Sequence, residues 1–131
     1  MDPDLIIFLS VEDVLLIQQD TIEQDGGGRG VLDLGLLEAA VTTPRQAFGG
    51  QFLHEDIPAM AAAYLFHIAM NHPFIDGNKR AAAMSALVFL DLNGVTSLPT
   101  GEVLEATTLA VAPGDMSKDQ LTTWFRKVIA P

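Results

Sequence analysis

The chain contains no cysteine in 131 residues. Structural disulfides and thiolate metal sites are therefore excluded, and a reducing compartment is compatible with the sequence. Aromatic residues are sparse, at 7%. Alanine is abundant, a combination that suits closely packed helices. Positive charge is scarcer than negative: seven Lys and Arg stand against 17 Asp and Glu, giving a formal net charge of −10. Such a surface disfavours nonspecific binding to nucleic acid or anionic membranes and fits a soluble protein or one with a basic partner, although acidity alone accounts for solubility. No apolar run is long and clean enough to span a bilayer. The nearest, Ala59 to Met70, is cut short by Asn71-His72-Pro73. The acidic start, Met1-Asp2-Pro3-Asp4, is unlike the basic beginning of a signal peptide. What remains is 49% apolar and 18% charged, the composition of one globular domain over 1–131 with a real core.

The apolar spacing predicts helices throughout. Ser10 is a suitable N-cap, and Asp13 three residues on makes a capping box for a helix over Val11 to Gln24. Four glycines within Gly26 to Gly30 predict a mobile loop after it. Val31-Leu32 reads as a short extended piece. Leu34 to Val41 reads as a short helix stopped at Thr42-Thr43-Pro44, and Phe48 to Phe52 as a loop. Two segments, Pro58 to Asn71 and Asn78 to Leu92, are apolar nearly all round and should be central and buried. Asn93-Gly94 stops the second. Gly101 to Val111 is helical, and Ser117 with Gln120 caps a last helix through Val128, with Leu121, Trp124, Phe125 and Val128 on its buried face. The expected architecture is an all-α bundle around two central helices.

Between those two helices lies His72-Pro73-Phe74-Ile75-Asp76-Gly77-Asn78-Lys79-Arg80. Asn78 to Arg80 open a helix, so their backbone N–H groups and the helix dipole form an anion site. Gly77 permits close backbone approach. Arg80 can grip a phosphate through two parallel bonds, and Lys79 offers a point charge. Asp76 beside that site suits Mg²⁺ held against a polyphosphate. His72 can accept a proton from a hydroxyl near neutral pH. Phe74 anchors the loop in the core. Singly, each residue has a plainer account: a helix-end histidine, an ordinary Asp-Gly-Asn turn, a solvated Lys-Arg pair. Their order at a helix start makes coincidence a poor explanation.

This motif resembles the core motif of the Fic superfamily. The Lys after Asn and the chain length resemble its Doc branch, the "death on curing" toxins. Ser10 to Leu15, Asp33 to Ala40, Phe48-Gly49-Gly50 and Ser85 to Gly94 also resemble Doc-type segments, in the right order, so the resemblance covers most of the chain. It implies an all-helical Fic fold and transfer of part of a nucleotide to a protein hydroxyl. His72 would be the base, Asp76 the Mg²⁺ ligand, and Gly77, Asn78, Lys79 and Arg80 the phosphate cradle. Fic enzymes that transfer AMP have Gly where Lys79 stands and a second Arg where this chain has Ala83. In the Doc branch the nucleotide is reversed, which implies transfer of the γ-phosphate of ATP, with a threonine of elongation factor Tu as target and arrest of translation as the result. A bacterial cytoplasm and restraint by a separate Phd-type antitoxin are also implied, since the inhibitory Ser/Thr-x-x-x-Glu-Gly/Asn helix is missing. Ala81 and Leu32 depart from residues common in the branch, Thr and Arg, and bear on target identity more than on catalysis. The Gly-rich loop could contribute to a flap over the target or be a plain connection, and Arg29 could reach the target or the phosphate.

Two other histidines have different explanations. His67 on the apolar helix reads as a satisfied core histidine. His54-Glu55-Asp56 resembles the start of a zinc-protease helix, but Pro58 stands where the second histidine belongs. A His67, His72, Asp76 metal cluster would leave Lys79-Arg80 unexplained. Three functions stay open: a Doc-like kinase toxin, another Fic transferase moving AMP or a related group, and a catalytically silent partner of an antitoxin.

Overall fold

The structure is a computed structural model that describes residues 5–130. The Met1 to Asp4 start lies outside the described residues. Among the described residues there are six α-helices: α1 Val11–Asp25, α2 Leu34–Thr42, α3 Ile57–Asn71, α4 Asn78–Leu92, α5 Gly101–Val111 and α6 Lys118–Val128. Ser10 and Asp13 form the expected capping box on α1, as do Ser117 and Gln120 on α6. Asp33, Asp56 and Thr100 cap α2, α3 and α5 through their side chains.

α3 and α4 are the central pair. Ala61, Ala62, Leu65 and Ile68 on α3 and Ala82, Ala83, Ala86 and Phe89 on α4 are fully buried. Small alanine side chains let the two backbones approach closely, and the larger residues fill the space on either side. α1 and α5 pack on α4, while α2 and α6 pack on α3. Leu121 and Phe125 are the buried residues of α6, with Trp124 and Val128 half-buried against the core. The segment before α1 is tied to the central pair. Tyr64 Oη accepts from the Leu9 amide at 2.9 Å, and Asn93, at the C-cap of α4, exchanges two 2.8 Å bonds with the Ile7 backbone.

Two local features differ from the sequence reading. The short helix α2 continues into a 3₁₀ turn, Thr43–Arg45, with Pro44 tolerated in the first turn because its missing N–H is not needed there. The expected loop at Phe48 to Phe52 is a small antiparallel hairpin, β1 Ala47–Phe48 with β2 Gln51–Phe52. Its turn, Gly49-Gly50, has φ of 60° and 80°. Positive φ at both central residues matches the twist of the flanking strands, and two glycines adopt it without strain. Among the described residues no helix is long and apolar enough to cross a membrane.

Candidate active site

The nine-residue motif joins the C-terminus of α3 to the N-terminus of α4, so the two central helices hold it from both sides. α3 ends with His72 in the left-handed conformation, φ 51° and ψ 53°. It is the one non-glycine residue with positive φ among the described residues. That kink turns the chain out of the helix and leaves the imidazole exposed. Phe74 points the other way and is fully buried, the anchor expected for it.

Asn78 closes the loop. Its Oδ1 accepts from the Phe74 amide at 2.9 Å, and its Nδ2 donates to the Phe74 carbonyl at 2.9 Å. The same Nδ2 lies 3.0 Å from Nδ1 and 3.3 Å from Nε2 of His72. One buried amide therefore fixes the loop and steadies the imidazole. Sequence reasoning put Asn78 in a phosphate cradle. The structure turns its side chain inward and leaves its backbone at the helix start.

That helix start is distinctive. α4 is the one α-helix among the described residues whose N-terminus has no side-chain cap; Gly77 occupies the N-cap with φ 75°. Unsatisfied amides and the positive end of the dipole thus face solvent at Asn78, Lys79 and Arg80. Lys79 is exposed and makes no ion pair among the described residues. Arg80 is half-buried and engaged by two carboxylates, Asp25 at 2.8 Å and Glu105 at 3.3 Å. Any anion reaching Arg80 would have to compete with both.

Asp76 is exposed but firmly held. Its backbone carbonyl accepts from Nε2 of Gln18, a buried polar residue of α1, at 3.1 Å. Its carboxylate Oδ2 accepts from the Gly28 amide at 2.5 Å. The Gly-rich segment is therefore packed against the motif, where a mobile loop was expected. Beyond it, Val31 makes an antiparallel bridge with Phe74, the Leu32 and Asp33 amides donate to the Pro73 carbonyl, and the Ile75 amide donates to the Gly30 carbonyl. The extended reading of Val31-Leu32 is correct, and the chain it pairs with is the motif itself. Arg29 is exposed and paired with Glu23 at 2.9 Å.

His72, Asp76, Gly77, Asn78, Lys79 and Arg80 line one cavity of about 350 Å³, together with Thr21, Asp25, Gly26, Ile75 and Glu105. Gln18, Asp25, Gly28 and Glu105 were not found from the sequence. Only contacts between residues far apart in sequence reveal them, as between Gly28 and Asp76, 48 residues apart.

A larger cavity, of about 510 Å³, lies against α6 and contains the other two histidines. Lys118 Nζ sits 3.0 Å from His54 Nε2 and 3.2 Å from His67 Nε2. His67 is thus a satisfied histidine, separate from His72. Among the described residues no three metal-ligating side chains are gathered. Burial, then the Lys118 charge, then His54, push the His67 pKa down to about 4 from 6.5. Burial and Lys118 also lower that of His54. Above pH 6.5 the neutral rings cost nothing. As pH falls from 6.5 toward 4, the unfolded chain takes up protons that the folded chain refuses, so stability declines. Because His67 is only half-buried, its share is about 1–2 kcal/mol after solvent screening. Urea unfolding at pH 7.5 and pH 4.5 should show this loss, and His67→Gln should reduce it. An equal loss in wild type and variant would rule out His67 as its source.

Known proteins match this chain along much of its length. The family model described as Fic/DOC family matches residues 8–90. "Toxin Doc" of Mycolicibacterium smegmatis is 41% identical over 88 residues, which are 67% of this chain and 65% of that protein. "Protein kinase doc" of Escherichia phage P1 is 30% identical over 120 residues, covering 92% of this chain and 94% of the phage protein. The matched family residues include the nine-residue motif, all of α3, α4 as far as Leu90, and the Gly-rich segment packed on them. The chain belongs to the Fic/DOC family.

Proposed function

We propose that this chain is a Doc-type toxin that transfers the γ-phosphate of ATP to a threonine or serine hydroxyl of a protein, with elongation factor Tu as target and arrest of translation as the outcome. The observation that carries this reading is the convergence of His72, Asp76 and the uncapped start of α4 on one cavity. The names of the two relatives, a toxin and a protein kinase, support it. Restraint then comes from a separate antitoxin of the Phd type.

In this mechanism the N–H groups of α4 and the Lys79 and Arg80 side chains bind the phosphates, with Arg80 exchanging Asp25 and Glu105 for phosphate oxygen. The Asp76 carboxylate is a hard oxygen donor beside that anion site, and this fits Mg²⁺, which binds through one or two carboxylates plus substrate phosphates. When bound, Mg²⁺ supplies charge neutralisation and alignment of the phosphate oxygens. The acceptor hydroxyl approaches the exposed His72 ring and replaces the Asn78 amide at one ring nitrogen. His72 takes the hydroxyl proton as the new oxygen–phosphorus bond forms. The bond from the γ-phosphorus to the bridging oxygen breaks, ADP leaves with that oxygen, and the imidazolium later returns its proton to water. Ala83 is fully buried. The position that would supply a second arginine grip in AMP-transferring relatives thus belongs to the core, and this favours the kinase reading over nucleotidyl transfer.

The test is label transfer to purified elongation factor Tu with Mg²⁺, using ATP labelled at the γ or at the α phosphorus. His72-dependent γ-label without α-label is the expected result. Label from the α position means nucleotidyl transfer. If neither label transfers to the factor or to any lysate protein, the chain is a silent binding partner and the enzymatic reading fails.

A further inference from the structure

We propose that the backbone amide of Gly28 is a positioning group for the Asp76 carboxylate: it ties off Oδ2 and presents Oδ1 to the divalent cation that accompanies the nucleotide. This inference rests on the nucleotide-binding reading above and assigns a role within the same site to a segment that reads in sequence either as part of a flap or as a plain connection.

The contact is specific. The Gly28 N–H donates to Oδ2 at 2.5 Å, while Oδ1 has no hydrogen-bond partner among the described residues. The approach is close enough to favour glycine at two successive positions. A Cβ on Gly28 would lie 3.0 Å from Asp76 Oδ2 and 3.1 Å from Ile75 Cγ2. A Cβ on Gly27 would lie 3.2 Å from Asp76 Cβ and 3.2 Å from Ile22 Cδ1. Gly28 itself has an ordinary φ, so proximity to the motif, and not backbone freedom, is what limits the residue there. The segment is secured on both sides of this contact, by Asp25 on Arg80 and by the Gly30 carbonyl on the Ile75 amide. Asp76 cannot drift away, because Gln18 holds its backbone carbonyl.

The chemistry explains why such a bond matters. Mg²⁺ is small, demands near-octahedral geometry and keeps several waters. A carboxylate that offers one oxygen in a fixed direction suits it better than one free to rotate. Groups that orient a metal ligand are worth about 10- to 100-fold in metal affinity.

The test uses the full chain, Mn²⁺ as a stand-in for Mg²⁺, and a nonhydrolysable ATP analogue, with calorimetry as the readout. The quantity measured is the factor by which Mn²⁺ tightens analogue binding. Wild type should show a clear enhancement. Gly28→Ala should reduce it about tenfold, with analogue affinity in the absence of metal within about twofold of wild type. Since the added methyl group could disturb the loop, a second variant carries glycolic acid at position 28 by semisynthesis. The ester removes the N–H, adds no atom, and should show the same loss of enhancement. In an Asp76→Ala background either change should have no further effect, because the two groups act as a unit. An ester variant with undiminished enhancement overturns the proposal, as does a further loss in the Asp76→Ala background. Failure of the nucleotide reading looks different: wild type would then not bind the analogue at all, and the proposal would fall with it.

Discussion

Replacing His72 by alanine should lower phosphate transfer by about 100- to 10,000-fold, the usual contribution of a positioned general base, and leave folding nearly intact. The two halves of this expectation have separate structural causes. The imidazole is exposed at the end of α3 and carries no core packing. Its one hydrogen-bonding neighbour, Asn78 Nδ2, keeps the Phe74 carbonyl as acceptor when the ring is gone. The left-handed backbone at His72 is already strained for a non-glycine residue, and alanine inherits that strain, so stability should change by less than about 1 kcal/mol. Loss of the ring removes the group that takes the hydroxyl proton but none of the groups at the start of α4. Nucleotide affinity should therefore stay within about threefold, the whole effect falling on the chemical step. Single-turnover rates with γ-labelled ATP, alongside analogue binding and urea unfolding, separate these terms. A variant that kept a tenth of the wild-type rate would show that the proton goes elsewhere.

The parts of this protein legible in its sequence are those set by local rules. Helical periodicity and capping residues placed all six helices, α1 to α6, within about a residue at either end, because residues such as Ser10, Asn93 and Ser117 act on neighbours three or four positions away. The motif was legible because its residues are consecutive and a helix start makes them converge. The rest depends on distant pairings. Gln18 sits among the polar positions of α1 and looks like a surface residue, yet it is buried because Asp76 offers it a carbonyl. The glycines of 26–30 signal flexibility in isolation, while here they permit close packing against Asp76 and Ile75. Arg80 in sequence is a free cation. In the fold it has two carboxylate partners, from α1 and α5, that no spacing rule links to it.

Asn78 shows the difference most sharply, and substituting it should cost about 2–6 kcal/mol of stability. Its side chain is buried and satisfies both the N–H and the C=O of Phe74, a residue with no solvent exposure. In Asn78→Ala those two backbone groups lose their partner in a place where water cannot replace it, and each unsatisfied group costs about 1–3 kcal/mol. Asn78→Asp is no remedy: a carboxylate can still accept from the Phe74 amide, but it sets a second oxygen against the Phe74 carbonyl. Both variants should unfold at lower urea concentration than wild type, and in both the transfer rate should fall, since His72 loses the amide that steadies its ring. The anion site is a different matter. Asn78 contributes its backbone N–H there, and that group survives the substitution. Nucleotide binding by the folded fraction should therefore weaken only a few-fold, far less than transfer. If Asn78→Ala instead abolished nucleotide binding and left the urea midpoint unchanged, the side chain would be a phosphate ligand after all, and the loop would owe its shape to the contacts of Gly30, Leu32 and Asp33 alone.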